Sequence, residues 1–262
     1  MIEPFAVEKP LIGMLHLRPL AGSVNYIQGS ESAILEAAFR DLYALESGGA
    51  DGVIVENLAD APFAVTAPPE TVAMMSVVVH QLIEKSHIPV GVNVLRNDGH
   101  AALAIAAATG AAFVRVNVFC GVAFSDQGIV EGQARDLHWL RRSLGINTRI
   151  FADVHVKHAA HPTTLVEAAI DNERNRPDAM IVSGIATGRR TSPDDLQTVK
   201  GATSLPVLVG SGVRLDNVST YREADGFVVG TVLKEQAQVD APVDVTRVRA
   251  LADAIEVLRS ST

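Results

Sequence analysis

The stretch LPVLVGSGV (205–213), followed by a short polar linker and then ADGFVVGTVLK (224–234), carries the reading of the chain. It holds two apolar runs, PVLVG and GFVVG. Each ends in small residues: Gly210, Ser211 and Gly212 after the first, Gly230 and Thr231 after the second. A Val-rich run without polar alternation suits a strand buried on both faces, as in a parallel sheet. Glycine at the C-terminal end of such a strand lets an anion approach backbone N–H groups closely. Either cluster alone reads equally well as a tight turn. The pairing of the two points to a phosphate grip made by Gly210, Ser211, Gly212, Gly230 and Thr231.

The same unit recurs outward from this stretch. Further apolar runs stand at 11–17, 52–58, 89–95, 112–119, 149–157 and 179–184, which with 206–211 and 226–231 makes eight strands. Helical patterns fall near 31–47, 69–85, 98–109, 129–144, 163–175, 193–200, 215–223 and 245–259. Ser30 or Ser32 can cap the first helix, Pro69 and Pro193 suit the first turns of the second and sixth, and Gly48-Gly49 stops the first. Strict alternation of buried strands and helices predicts a parallel sheet, and eight units predict a closed (β/α)8 TIM barrel over residues 1–262 in one domain. A doubly wound open sheet is the alternative.

Helix-to-strand connections are short, whereas the strand-to-helix loops at 18–30, 58–68, 120–128, 158–162 and 185–192 are long. Long loops held by a scaffold carry function, and in a barrel these cluster at the C-terminal face where active sites lie. Composition narrows the classes. The chain of 262 residues is 48% hydrophobic with a formal net charge of -8, so no nucleic-acid partner is expected. Its lone Cys120 forms no internal disulfide, and MIEPFAVEKP lacks a secretory signal pattern. No apolar run approaches the roughly 20 residues of a membrane span. A cytoplasmic location is expected. Barrels often associate through their outer helices, so a homo-oligomer is compatible with the chain.

Strand alternation separates inward from outward side chains. In FADVHVK (151–157), Asp153, His155 and Lys157 share the inward parity, as do Arg115 and Asn117, Asn93, Glu56, His16 and Ser183 in their strands. A barrel interior is normally apolar, so a polar set of this size pairs internally or meets a ligand. An internal salt-bridge network that fixes register is one reading. A catalytic cluster is the other, favoured because these residues come late in their strands. Lys157 can hold an anion or form a Schiff base. His155 is a proton shuttle by parity, with His158 set outward or in the loop. Asp153 orients a neighbour or acts as base, with Glu56 a second base. His16, Asn93, Arg115, Asn117 and Ser183 suit substrate binding, such as sugar hydroxyls or a developing oxyanion. Asp126 in SDQG is a lid candidate or a plain turn residue.

No cofactor is expected. Asp153, His155 and Glu56 offer donors to a divalent metal, but no HExxH or CxxC spacing accompanies them. Cys120 reads as a small packing residue ahead of a nucleophile.

The runs IGMLHLRPLAGS (12–23), DGVIVENLADAPF (51–63), VGVNVLRND (90–98), VRVNVFCG (114–121), SDQGIVEG (125–132), FADVHVKHA (151–159), IVSGIATG (181–188), VLVGSGV (207–213) and DGFVVGTVLK (225–234) resemble the BtpA/SgcQ family. That resemblance implies a phosphate-binding type of (β/α)8 barrel. It also implies two settings. One photosynthetic member is associated with photosystem I biogenesis at thylakoid membranes, and others lie beside sugar transport and metabolism genes. No catalytic residues come with the resemblance. The combined expectation is an enzyme on a small phosphorylated ligand, a sugar phosphate or related carbohydrate, using isomerase, aldolase or lyase proton transfer. The alternatives are a peripheral factor at a membrane complex, a glycosidic-bond hydrolase using Glu56 and Asp153, and a sugar-phosphate sensor without turnover.

Overall fold

The computed structural model describes residues 1–184 and 191–260. In chain order its elements are β1 (Leu11–His16), α1 (Glu31–Gly48), β2 (Gly52–Glu56), α2 (Pro69–Lys85), β3 (Val90–Asn93), α3 (Gly99–Thr109), β4 (Phe113–Val116), β5 (Val122–Ser125), β6 (Gly128–Glu131) and α4 (Ala134–Ser143). There follow β7 (Arg149–Asp153), β8 (Ala159–Ala160), α5 (Leu165–Asn175), β9 (Ala179–Val182), α6 (Pro193–Ala202), β10 (Val207–Val209), β11 (Gly226–Val229) and α7 (Val245–Arg259). Strands β1, β2, β3, β4, β7, β9, β10 and β11 close into a barrel, every neighbouring pair parallel, with β11 returning to β1. This is the expected (β/α)8 architecture, and the open-sheet alternative falls.

Two cores follow from strands buried on both faces. The outer one fills the space between strands and helices with residues such as Leu15, Val53, Val92, Val114 and Ile150. The inner one fills the lower barrel with Ile12, Ile54, Phe113, Phe151, Ile181, Leu208 and Val228. Phe113 stacks on Phe151 at 4.9 Å between ring centres, and Phe5 meets Phe113 edge-on at 5.5 Å. The N-terminal segment thus plugs the bottom of the barrel. Fully burying one such side chain contributes about 1.5–3 kcal/mol.

The long loops are fastened by carboxylates. Asp60 accepts from Leu20 N and Asn57 Nδ2, tying the loop after β1 to the loop after β2. Asp98 caps α3 by accepting from Ala101 N, and its second oxygen accepts from Ala67 N.

Three expectations give way. The helix expected at 215–223 is a short 3-10 turn, Val218–Tyr221. Asn217 accepts from Arg214 N and donates to Gly212 O, which commits the segment to a turn rather than a helical ladder. The fourth expected helix begins at Ala134, because residues 122–131 form a hairpin, β5 and β6, turning at Asp126-Gln127. β8 joins this hairpin, giving a three-stranded antiparallel sheet beside the barrel mouth. Finally, β7 stops at Asp153, so period-two alternation does not continue to His155 and Lys157. The expected loop at 185–192 lies mostly outside the described residues.

Candidate active site

Above the inner apolar core, the same wall positions turn polar within two residues. Met14 is followed by His16, Ile54 by Glu56, Phe113 by Arg115 and Phe151 by Asp153. Over this layer, at the C-terminal mouth, lies a cavity of about 340 Å³. His16, Glu56, Arg115, Asn117, Asp153 and Lys157 line it, as do Gly210, Ser211, Gly212, Gly230 and Thr231. The two glycine-ended strands and the polar set therefore share one cavity.

One side of the layer is locked. Arg115 Nε and Nη2 each donate to an Asp153 oxygen at 2.9 Å, a bidentate pair. Asn117 Nδ2 donates to Asp153 Oδ2 at 3.0 Å. Asn93 Nδ2 in turn donates to Asn117 Oδ1 and to Arg115 O, both at 3.0 Å. Burial works against the Arg115 charge, but the Asp153 carboxylate overcomes it and holds the guanidinium above its ordinary pKa. Asp153 is committed to three hydrogen bonds, which makes it a positioning residue rather than a base. Asn93 is buried beneath the network and does not line the cavity. The salt-bridge reading thus holds for this side of the layer.

The other side is loose. Glu56 Oε1 lies 3.7 Å from His16 Nε2. Burial drives His16 down to about 3, with Lys234 adding to it, so the imidazole is neutral. Burial pushes the Glu56 carboxyl up, against the pull of Arg115 and Lys157. A desolvated carboxyl beside a neutral imidazole is an arrangement able to take up and return a proton. Lys157 crosses the mouth from the end of β7, and its Nζ donates to Gly210 O at 3.3 Å. Burial, with Arg115 nearby, lowers it to about 8.

Gly210 and Gly212 have separate reasons for being glycine. A Cβ on Gly210 would meet Ile181 Cγ2 at 2.4 Å and Ser183 Oγ at 2.9 Å, so the wall itself demands glycine there. Gly212 has φ +70, which side chains rarely adopt, and its turn presents the backbone to the cavity. Ser183 Oγ is buried without a partner and lies behind Gly210 rather than on the cavity surface.

The histidines exchange roles relative to expectation. His158, with φ +59, lines the cavity, whereas His155 turns away and stacks on His161 at 4.1 Å between ring centres. The cause is the end of β7 at Asp153, after which Val156 tucks under the small sheet against Val118, Ala123 and Val130. Glu56, Asp153 and His155 consequently do not converge as metal donors. Among the described residues no group of three or more His, Cys, Asp or Glu gathers in a metal-binding arrangement. Asp126 sits at the hairpin tip bonded to Gln127 Nε2, away from the cavity.

Sequence reasoning missed Arg96, Arg214 and the strap residues Ala237 and Val239, all of which line the cavity. Arg96 Nη2 donates to Lys157 O at 2.7 Å and so supports the lysine's backbone. Its place just past the third strand, in LRND, was the available signal. Arg214 is held by Asp216 through two hydrogen bonds of 3.1 Å.

The model of the BtpA family matches residues 7–257. The chain belongs to the BtpA family. An uncharacterised protein of Thermococcus kodakarensis is 47% identical over 256 residues, covering 97% of this chain and 98% of that one. The photosystem I biogenesis protein BtpA of Synechocystis is 41% identical over 261 residues, covering 97% and 91%. Among solved structures, thiamine phosphate pyrophosphorylase from Pyrococcus furiosus superposes with a TM-score of 0.61 at 14% identity, covering 95% of this chain and 96% of that one. At that identity the likeness is one of fold. Among the described residues, no helix is long and apolar enough to cross a membrane.

Proposed function

We propose that this BtpA-family barrel is an enzyme acting on a small phosphorylated substrate of the sugar-phosphate class. The carrying observation is the reach of Lys157 across the mouth to the Gly210 carbonyl, which puts a desolvated ammonium beside the glycine-ended loops. The phosphate rests against Gly210, Ser211, Gly212, Gly230 and Thr231, with Lys157 supplying the positive charge. Glu56 exchanges the proton at carbon. His16 donates to or accepts from the developing oxygen as a neutral imidazole. Arg115, oriented by Asp153 and Asn117, steadies the negative charge that builds on that oxygen. This division of labour suits enolisation next to a carbonyl, as in aldose–ketose isomerisation or retro-aldol cleavage. Hydrolysis of a glycosidic bond fits less well, because it needs two carboxylates in action and Asp153 is held in a bidentate pair.

The test is proton exchange. The protein is incubated in D2O with a panel of sugar phosphates and their unphosphorylated counterparts, and deuterium incorporation is read by NMR. Exchange with phosphorylated sugars only, lost in Glu56→Gln, supports the reading. No exchange with any member, although phosphate binds, contradicts the enolisation reading.

A second reading, a peripheral factor at a membrane complex, draws on the printed name of the Synechocystis relative and on exposed Val24, Ile27, Phe124 and Ile129. These side chains lie on connections leaving the C-terminal ends of β1 and β4. Vesicle co-sedimentation that is indifferent to phosphate ligands would favour it.

A further inference from the structure

A second cavity, of about 160 Å³, lies beside the barrel between the end of β7, the chain leaving β4 and helix α5. Its wall towards the substrate cavity is the pair Asn117 and Asp153, which line both. Its other polar lining includes Cys120, His155, His161, Asp171 and Asn172, and among the described residues no lysine or arginine lines it.

Two buried polar atoms here lack partners. Asn172 is only 2% exposed, and its Nδ2 donates to Ala168 O at 2.9 Å within α5. Its Oδ1 accepts nothing, and His155 Nε2 is likewise unpartnered. An orphaned buried acceptor is destabilising, and native proteins retain few. The remaining chemistry of the cavity is acceptor-rich. His161 Nε2 lies 3.0 Å from Val156 O, which fixes the ring against the backbone. The Asp171 charge reaches Cys120 and joins burial in raising its thiol to about 11. His155 is held down to about 4, by burial first and then by His161, so it brings no positive charge. Asp171 Oδ1 also faces Arg174 at 3.6 Å along the helix, a loose contact on a half-exposed side chain. Apolar walls come from Val122, Val154 and Ala168.

We propose that this second cavity binds a small primary amine, its ammonium donating to Asn172 Oδ1 and the Asp171 carboxylate, its short carbon chain against Val122, Val154 and Ala168. The volume suits this: one water takes about 30 Å³ of liquid, so the space holds several waters or one such amine. The contrast with the substrate cavity is one of sign. Among the described residues, Arg96, Lys157 and Arg214 line that cavity, while this one is lined by Asp153 and Asp171 without a lysine or arginine. The proposal stands independently of the phosphate reading, and the two chambers meet at the Asn117–Asp153 wall.

The experiment is calorimetric titration of the full chain with ethylammonium chloride, against sodium chloride at equal ionic strength and against ethanol. Saturable binding of ethylammonium alone is expected. Asn172→Leu and Asp171→Asn should each weaken it by about tenfold or more, the loss of a charge-assisted hydrogen bond. Asp171 is half-exposed, so Asp171→Asn remains readable even where Asn172→Leu disturbs folding. Inorganic phosphate should not displace the amine. Absence of saturable binding, binding unchanged in Asp171→Asn, or displacement by phosphate would each overturn the proposal.

Discussion

Asp153 and Glu56 each end a strand of the same barrel, both are buried, and both face one cavity, yet their surroundings are opposite. Asp153 is held by three hydrogen bonds from Arg115 and Asn117, with Asn93 bracing the network through Asn117. Glu56 has a neutral imidazole at 3.7 Å and a carboxyl pushed up by burial. The difference teaches that a polar barrel interior divides its work. One side holds charge in place and gives the wall its shape, and the other sets a desolvated carboxyl beside a neutral imidazole. Parity alone cannot separate the two, since all these residues share it.

The sharpest way to break this contrast is on the locked side. Arg115→Ala strands Asp153 in the interior and should cost about 3–5 kcal/mol in chemical denaturation. The double change Arg115→Met with Asp153→Leu should recover most of it, because removing both partners of a buried pair is often near neutral. A small loss in Arg115→Ala would mean that Asp153 is not held as described. On the loose side, Glu56→Gln should leave the denaturation midpoint unchanged or slightly raised, since a desolvated carboxyl is replaced by an amide. Proton exchange should fall by about 10²–10⁴-fold. Destabilisation matching that of Arg115→Ala would erase the distinction between the two sides.

A smaller effect is expected at Gly210. Gly210→Ala should cost about 1–3 kcal/mol by crowding Ile181 and Ser183, with thermal denaturation as the measurement. Neutral behaviour there would show that the wall can yield, and that the glycine is present for the ligand alone. The smallest effect is a pH dependence. Lys157 carries its charge below about 8 and loses it as pH rises through that value. Affinity for a phosphate dianion should therefore hold from above the second phosphate pKa, about 6, up to about 8 and decline beyond it, by up to about tenfold per pH unit. The decline should vanish in Lys157→Met, which lacks the titrating group.

Much of this was legible in the chain. The eight apolar runs point to the barrel because strands buried on both faces are continuously apolar rather than alternating. Asp153, Arg115, Glu56 and His16 line the cavity as their parity within regular strands predicts, and Asn117, one residue beyond β4, keeps the same direction. Legibility failed where strands ended. His155 and His158 exchanged places because β7 stops at Asp153, and nothing in the alternating HVKH signals a stop. The hairpin at 122–131 was read partly as loop and partly as helix, since its strands are short and its turn polar. Arg96 and the strap residues Ala237 and Val239 enter the cavity through loop trajectories, which no periodicity encodes. The second cavity was invisible for the same reason, being formed where α5 meets the turned-out end of β7.

The proposed phosphate grip joins Lys157 to the glycine-ended loops. It is tested most directly by titrating the wild-type chain and Lys157→Met with glycerol phosphate, inorganic phosphate and glycerol, following thermal stability. Stabilisation by glycerol phosphate and inorganic phosphate and not by glycerol, weakened in Lys157→Met, is expected. Equal stabilisation by glycerol, or phosphate binding indifferent to Lys157, would contradict it.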